Sequence, residues 1–456
     1  MTMSSSQIAE ALGAVRPSVE FAVSGWSIDS RTTEPGDCFF ALRGDRDGHD
    51  YVATAFERGA AAAVVERDVP GAAGPLLQVG DTLEALTKLG AAARLQWGGT
   101  VIGVTGSAGK TSTKDAVAEL VGTAFPTGRT IGNLNNHLGV PLSILRLPAE
   151  KKVAVLEMGM NHAGEIRGLA RIARPSIGVI TNAGWAHGEN FPDGIDGVAR
   201  AKRELIEELP ADGVAVLNAD DRRVRNFANI HAGRSILYGF AEDAEVRAEN
   251  VKLSEAGATF RTLGVEFESR LAGRHGVSNV LAAISAARAL GIDAASLREA
   301  VRALRPGHMR GERLERNGVT LINDCYNANP EAMRSMLELL AGIPARRHIA
   351  VLGEMLELGP EAEALHRGIG KFAAEQGIYA VIGIRGAARF TVDEAVRAGT
   401  SVSAAYFFST PEEAGDFIRD FVQPGDAVLF KGSRGVQVEK ALARAFPVNN
   451  DQGEGH

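Results

Sequence analysis

Over residues 100–115 an apolar run feeds a glycine-rich turn that opens into helical sequence, T-V-I-G-V-T-G-S-A-G-K-T-S-T-K-D. No other stretch constrains the fold as tightly. A short apolar strand, a turn that needs glycine and then a helix predict the edge of a parallel α/β sheet. Backbone N–H groups converge there at a helix N-terminus and make an anion cradle. Gly106 and Gly109 permit the turn, with Thr105, Ser107 and Ala108 around them. Lys110 can reach β- and γ-phosphates, and the Thr111 hydroxyl can ligate Mg²⁺. The spacing departs from the common G-x-x-x-x-G-K-[ST], because Val occupies position 104. On the loop alone, kinase, GTPase and ligase chemistries stay open.

The loop begins a repeating pattern. Apolar runs at 101–104, 153–156, 177–180 and 214–217 end in polar loops, as the buried strands of a parallel sheet do. Alternating polarity over 245–270 predicts a small antiparallel hairpin set, and a helix over 277–290 closes this block. Upstream, strand-like runs at 37–42 and 61–66 mix with helical stretches at 51–58 and 82–95. After a linker at 306–310, strand-like runs at 319–322, 349–352, 380–384, 404–408 and 427–430 alternate with helices. This second rhythm predicts another doubly wound unit. The fold class is therefore α/β in three domains: a mixed α/β N-terminal domain over 1–97, a central P-loop ATPase-type parallel-sheet domain over 98–306, and a Rossmann-like domain over 307–456. The length of 456 residues agrees with about three domains at ~150 residues each. The polar tail after Pro447 is expected to stay outside the fold.

Composition excludes several classes. Lys and Arg number 49 against 56 Asp and Glu, a net charge of −7, so no excess of cations exists to grip nucleic acid. Two cysteines, Cys38 and Cys325, stand far apart, which argues against a disulfide framework and for a reducing compartment. The N-terminus has no cationic patch before an apolar run, and no stretch approaches the ~18 apolar residues of a membrane span. A soluble, cytoplasmic chain is expected, without membrane insertion and monomeric.

Ligands gather beyond the carboxyl ends of parallel strands. The run at 153–156 ends in Glu157, and the run at 177–180 leads through T-N-A-G-W-A-H to His187. A carboxylate and an imidazole at the same sheet edge as Thr111 make a candidate Mg²⁺ site. By composition, Lys202 reads as a solvated lysine on a helix opening near 199–204.

The loop T-G-S-A-G-K-T resembles that of the Mur ligases and of folylpolyglutamate synthase, and nearly the whole chain is similar to the Mur ligase family. That resemblance implies an ATP-dependent ligase joining an amine to a carboxylate through an acyl phosphate, with ATP and two Mg²⁺ ions. A-K-R-E at 201–204 is similar to the family segment whose lysine is carbamylated, which implies a carbamate on Lys202 as a metal ligand beside Thr111, Glu157 and His187. D-S-R-T-T-E-P-G-D-C-F-F-A-L-R-G-D-R-D-G-H-D at 29–50 looks like the family's UDP-sugar-binding start. It implies that Ser30 and Arg31 face the uridine diphosphate, with Asp47, Gly48 and His49 in the same region. I-G-N-L-N-N-H-L-G-V-P at 131–141 resembles the stretch that meets the muramoyl part, through Asn135 and Asn136. S-N-V-L-A-A at 278–283 resembles the adenine-side segment, with Asn279 as the contact. His275-Gly276 stands where the family often has His-Asn.

The last third is similar to the members that add D-alanyl-D-alanine to a UDP-linked muramoyl tripeptide. I-N-D-C-Y-N-A-N-P-E-A-M at 322–333 and V-L-G-E-M-L-E-L-G at 351–359, followed by His366, carry this likeness, and no D-N-P-R motif occurs. Asn323 stands where many relatives have an acid, so Asp324 is the expected ribose or phosphate partner, with Arg313 also on the nucleotide side. Asn327 is expected on the substrate side. K-G-S-R-G at 431–435 brings Lys431 and Arg434 toward anionic groups, either the dipeptide carboxylate or the ATP phosphates. Two other classes stay in view. Folylpolyglutamate synthase begins directly with its ATPase domain, unlike this chain. A non-catalytic regulator has no need of Thr111, Glu157, His187 and Lys202 together.

Overall fold

The computed structural model describes residues 1–14, 20–254 and 257–447. The tail at 448–456 lies outside the described residues.

The apolar runs of the middle third become a seven-stranded, wholly parallel sheet. Its order runs Val246–Arg247, Arg234–Gly239, Val214–Asn218, Ile177–Ile180, Thr100–Thr105, Val153–Glu157, Thr127–Arg129. Val, Ile and Leu dominate the inner strands because both faces are covered. One face shares a core with the N-terminal domain, where Trp26, Phe40, Leu86 and Leu89 join Leu156, Ile180 and Leu205. The other face packs against the helices Lys110–Val121 and Gly273–Ala289 and the antiparallel strands of 249–269.

Chain order reverses at Thr100–Thr105, whose neighbours are Val153–Glu157 and Ile177–Ile180. The glycine-rich loop leaves the sheet at this switch point, where diverging connections open a crevice. Register places Val104 opposite Glu157 and Thr105 opposite Ile180, so three strand ends meet around one loop.

The N-terminal domain has a four-stranded parallel sheet, Gly25–Ser27, Asp37–Phe40, Ala62–Val65 and Leu76–Gln78. The last third forms a six-stranded sheet in the order Glu312–Arg316, Val319–Asp324, Ala427–Lys431, His348–Gly353, Ala380–Ile384, Ala405–Phe408. Only its first strand is antiparallel, and apolar clusters cover both faces.

Several boundaries differ from the sequence reading. The helix expected at 277–290 starts at Gly273, which brings His275 into its first turn. The helix expected to open near 199 starts at Ile195, so Lys202 lies in its interior. Val246–Arg247 pairs with the parallel sheet instead of the hairpin set. The strand Glu312–Arg316 and the helix Ala388–Arg397 were not anticipated; both are rich in charged side chains, which masks their period.

Candidate active site

The glycine-rich loop turns tightly because its neighbours leave no room for side chains. A Cβ at Gly106 would lie 1.8 Å from Thr181 Oγ1. Gly109 caps the following helix with φ 77°, a left-handed conformation that glycine adopts without strain. Lys110 then starts the helix, and its Nζ donates to the Gly106 carbonyl at 2.8 Å. Burial lowers the Lys110 pKa, with the Glu157 carboxylate opposing.

Around the loop lies a cleft of about 930 Å³ between the central and C-terminal domains. Ser107, Ala108, Gly109, Lys110 and Thr111 line it, together with Asn135, Asn136, Glu157, His187, Lys202, Asn279, Asp324, Asn327 and Lys431. Thr111 Oγ1 donates to Glu157 Oε2 at 2.7 Å, and Asn135 Nδ2 donates to Glu157 Oε1 at 2.8 Å. Asn136 Oδ1 accepts from the Gly139 N–H at 2.9 Å. His187 shares the cleft, but its Nδ1 lies 2.5 Å from Glu357 of the C-terminal domain. Asn279 Oδ1 accepts from Thr113 Oγ1 at 3.1 Å and abuts Gly109. Lys431 Nζ lies 2.5 Å from Asp324 Oδ2 and donates to the Asn327 carbonyl at 2.9 Å.

Lys202 corrects the expectation drawn from composition. It is 2% exposed, on the inward face of its helix, and among the described residues nothing hydrogen-bonds or pairs with its Nζ. Burial, and then the nearby Lys110 charge, hold its pKa well below the ordinary lysine value. A buried, unpaired ammonium is costly, so the neutral amine is favoured here.

Other expected residues stand outside this cleft. Thr105 is fully buried and donates to the Met158 carbonyl at 2.8 Å, so with Gly106 it braces the loop from below. Arg313 sits on the edge strand beside Glu315, and Arg434 points outward to Glu439. Neither lines the cleft. Ser30, Arg31, Asp47, Gly48 and His49 gather in loops beyond the carboxyl ends of the N-terminal strands, also apart from the cleft. Arg31 is paired with Asp29, and Ser30 is buried. His49 is buried with Nδ1 on Asp47 at 2.6 Å and Nε2 accepting from the Glu66 N–H at 2.8 Å, so it holds the loop's shape. Gly48 abuts the Leu42 backbone.

Sequence reasoning passed over Arg310, which was read as linker. It enters the cleft three residues before Arg313 and stacks its guanidinium 3.8 Å from the Tyr326 ring centroid. Also missed were Asn182, Asn329 and Glu331, although the segments holding them were noticed. Asn329 Nδ2 donates to the Ser107 carbonyl at 3.3 Å, and Glu331 Oε1 accepts from the Trp185 N–H at 3.1 Å. Both contacts bring the C-terminal domain onto the phosphate loop and its neighbour. The Trp185 ring packs against the C-terminal core.

A phosphate loop at a switch point, a polar cleft and a Rossmann-like domain closing over it define an α/β nucleotide-dependent enzyme. The chain belongs to the Mur ligase family. Residues 104–287 match the Mur ligase middle domain, residues 309–434 the Mur ligase glutamate ligase domain, and residues 22–94 the Mur ligase family catalytic domain. The UDP-N-acetylmuramoyl-tripeptide–D-alanyl-D-alanine ligase of Bacillus subtilis is 34% identical over 427 residues, 92% of each chain. MurF from Acinetobacter baumannii superposes with a TM-score of 0.89 at 31% identity, covering 98% of this chain and 99% of that one. MurF from Thermotoga maritima, solved in complex with ADP, gives a TM-score of 0.80 at 29% identity over 92% and 96% of the two chains.

Proposed function

We propose that this chain adds D-alanyl-D-alanine to UDP-N-acetylmuramoyl tripeptide at the expense of ATP, forming the pentapeptide precursor of peptidoglycan, ADP and phosphate. The observation that carries this is the meeting of Lys110, Thr111, Glu157 and Lys202 with Asp324, Asn327 and Lys431 in one cleft, on a chain whose full-length relatives bear that activity.

The tripeptide carboxylate attacks the γ-phosphorus, ADP leaves, and an acyl phosphate results. The dipeptide amine then attacks the acyl carbon, phosphate departs and the amine loses a proton. Such transfer is mostly positioning and charge neutralisation, which suits a site without a nucleophilic side chain. N–H groups of the first turn after Gly109 lack intrahelical partners and face the phosphates. Lys110 supplies charge at the γ-phosphate and Arg310 adds a second cation. Beside the loop, a cavity of about 650 Å³ lined by Ser112, His275, Gly276, Asn279, Pro306 and Arg310 takes the base. Lys431 and Asp324, already paired, serve the ribose, the phosphates or the dipeptide carboxylate.

Thr111 and Glu157 offer oxygen donors of the kind Mg²⁺ requires, and no three His, Cys, Asp or Glu side chains converge on one point among the described residues. Thr111, Glu157, His187 and a carbamate on Lys202 would hold Mg²⁺, which would neutralise charge on the transferred phosphoryl group. A neutral Lys202 amine adds to the carbon of CO₂ and releases one proton, giving an anionic carbamate that resolves its buried, unpaired state. The division of labour follows: 1–97 holds the UDP-sugar, 98–306 the nucleotide and 307–456 the dipeptide. No described helix is long and apolar enough to cross a membrane; we infer a cytoplasmic reaction on soluble precursors, catalysed by a monomer. Mass spectrometry of the product tests the reading: a pentapeptide whose formation requires ATP, tripeptide donor and D-alanyl-D-alanine supports it, and its absence with all three present overturns it.

A further inference from the structure

The tip of the phosphate loop is bonded to a side chain from the neighbouring strand. Asn182 Oδ1 accepts from the Ser107 N–H at 3.1 Å and the Ala108 N–H at 2.8 Å. Its Nδ2 donates to the Ala108 carbonyl at 3.1 Å, and its own carbonyl also accepts from the Ser107 N–H at 3.1 Å. Thr181 Oγ1 adds a 2.6 Å bond to the same Ala108 carbonyl. One amide thus satisfies two donors and an acceptor on consecutive loop residues, which neither a carboxylate nor an ammonium can do. Asn182 sits just past the strand Ile177–Ile180, so the sheet itself fixes its position.

We propose that Asn182 is a positioning residue for nucleotide binding: it braces Ser107 and Ala108 so that the first turn of the Lys110–Val121 helix alone presents N–H groups to the phosphates. This rests on reading the cleft as a nucleotide site. Without the brace the Ala108 N–H loses its partner, the Ser107 N–H keeps only the Asn182 carbonyl, and the tip samples other conformations, so part of the binding energy goes to ordering it.

Two variants separate this from a role in stability alone. In Asn182→Ala the brace is gone. In Asn182→Asp the carboxylate keeps both N–H bonds, now charge-assisted, but sets a negative charge beside the phosphates. ADP affinity of the intact protein is measured by calorimetry at low and high salt, with thermal unfolding in parallel. Asn182→Ala should weaken ADP on the order of tenfold relative to wild type at both salts. Asn182→Asp, which also loses the bond to the Ala108 carbonyl, should weaken ADP more than Asn182→Ala at low salt and recover toward the Asn182→Ala affinity at high salt as the repulsion is screened. Wild-type binding with both variants within twofold of it overturns the proposal, even if their unfolding temperatures fall. No ADP binding by wild type overturns the nucleotide reading itself.

Discussion

Lys202 shows how much a single residue hides until the chain is folded. In the sequence it is one lysine among charged neighbours on a helix, and only likeness to a family drew notice to it. Folded, it is a buried amine with no partner, beside a second lysine. The account predicts that Lys202→Ala loses most turnover and that a short carboxylic acid in the buffer restores part of it; full activity without the additive would remove the carbamate. With labelled CO₂ held constant, a carbamate carbon signal in wild type, absent from Lys202→Ala, should grow as pH rises, because only the neutral amine reacts. Lys110→Ala should cost about 10²–10³-fold in kcat, the usual loss for one charge-stabilising group, with unchanged unfolding temperature because Lys110 bonds only to its own loop.

At the scale of elements, what the sequence made legible were strand ends and the turns after them. The apolar runs ending at Thr105, Glu157 and Ile180 fell in adjacent strands, and that adjacency assembled Thr111 with Glu157. Helix starts and charged edge elements were less legible, because Gly273 and Ile195 begin helices without a capping side chain. Arg310 was missed for a related reason: glycine and proline around it read as a linker, and only the turn of the chain into the cleft gives it a role. The loop after His348–Gly353 was noticed as a motif, and His366 explains its shape. Its Nε2 accepts from the Met355 N–H at 2.9 Å while Nδ1 donates to the Ala362 carbonyl at 2.7 Å. Burial lowers the His366 pKa below its ordinary 6.5. A depressed histidine contributes stability above its unfolded pKa, lost as pH falls through it, because the unfolded chain binds the proton more readily. Hydrogen exchange at Met355 should therefore accelerate as pH drops below about 6.5 once intrinsic rates are divided out, and a His366→Gln variant should lose that dependence.

For the molecule as a whole, the cleft is built by the C-terminal domain lying on the central one. Trp185 packs its half-buried ring against the C-terminal core, Glu331 takes the Trp185 backbone N–H, Asn329 reaches the phosphate loop and Glu357 meets His187. The hydrogen bonds of Glu331 and Asn329 join residues 146 and 222 positions apart in sequence, so no local pattern announced them. Asn329 also caps its own helix by accepting from the Ala332 N–H at 2.8 Å. Asn329→Ala should cost roughly 1 kcal/mol of stability for the cap. Trp185→Ala should open the domains, seen as a larger radius of gyration in solution scattering, and lower kcat/KM on the order of a hundredfold through misplaced reactants. Unchanged scattering and kinetics in Trp185→Ala would separate catalysis from this docking.

The central claim is that the C-terminal domain presents a dipeptide, not a single amino acid, to an acyl phosphate formed on the tripeptide. The most direct measurement follows phosphate release with ATP, Mg²⁺ and UDP-muramoyl tripeptide while the acceptor is varied among D-alanyl-D-alanine, D-alanine, L-lysine, diaminopimelate and glutamate. The account predicts sustained release with D-alanyl-D-alanine alone. Release that depends on a single amino acid, with UDP-muramoyl dipeptide as the better donor, would contradict it.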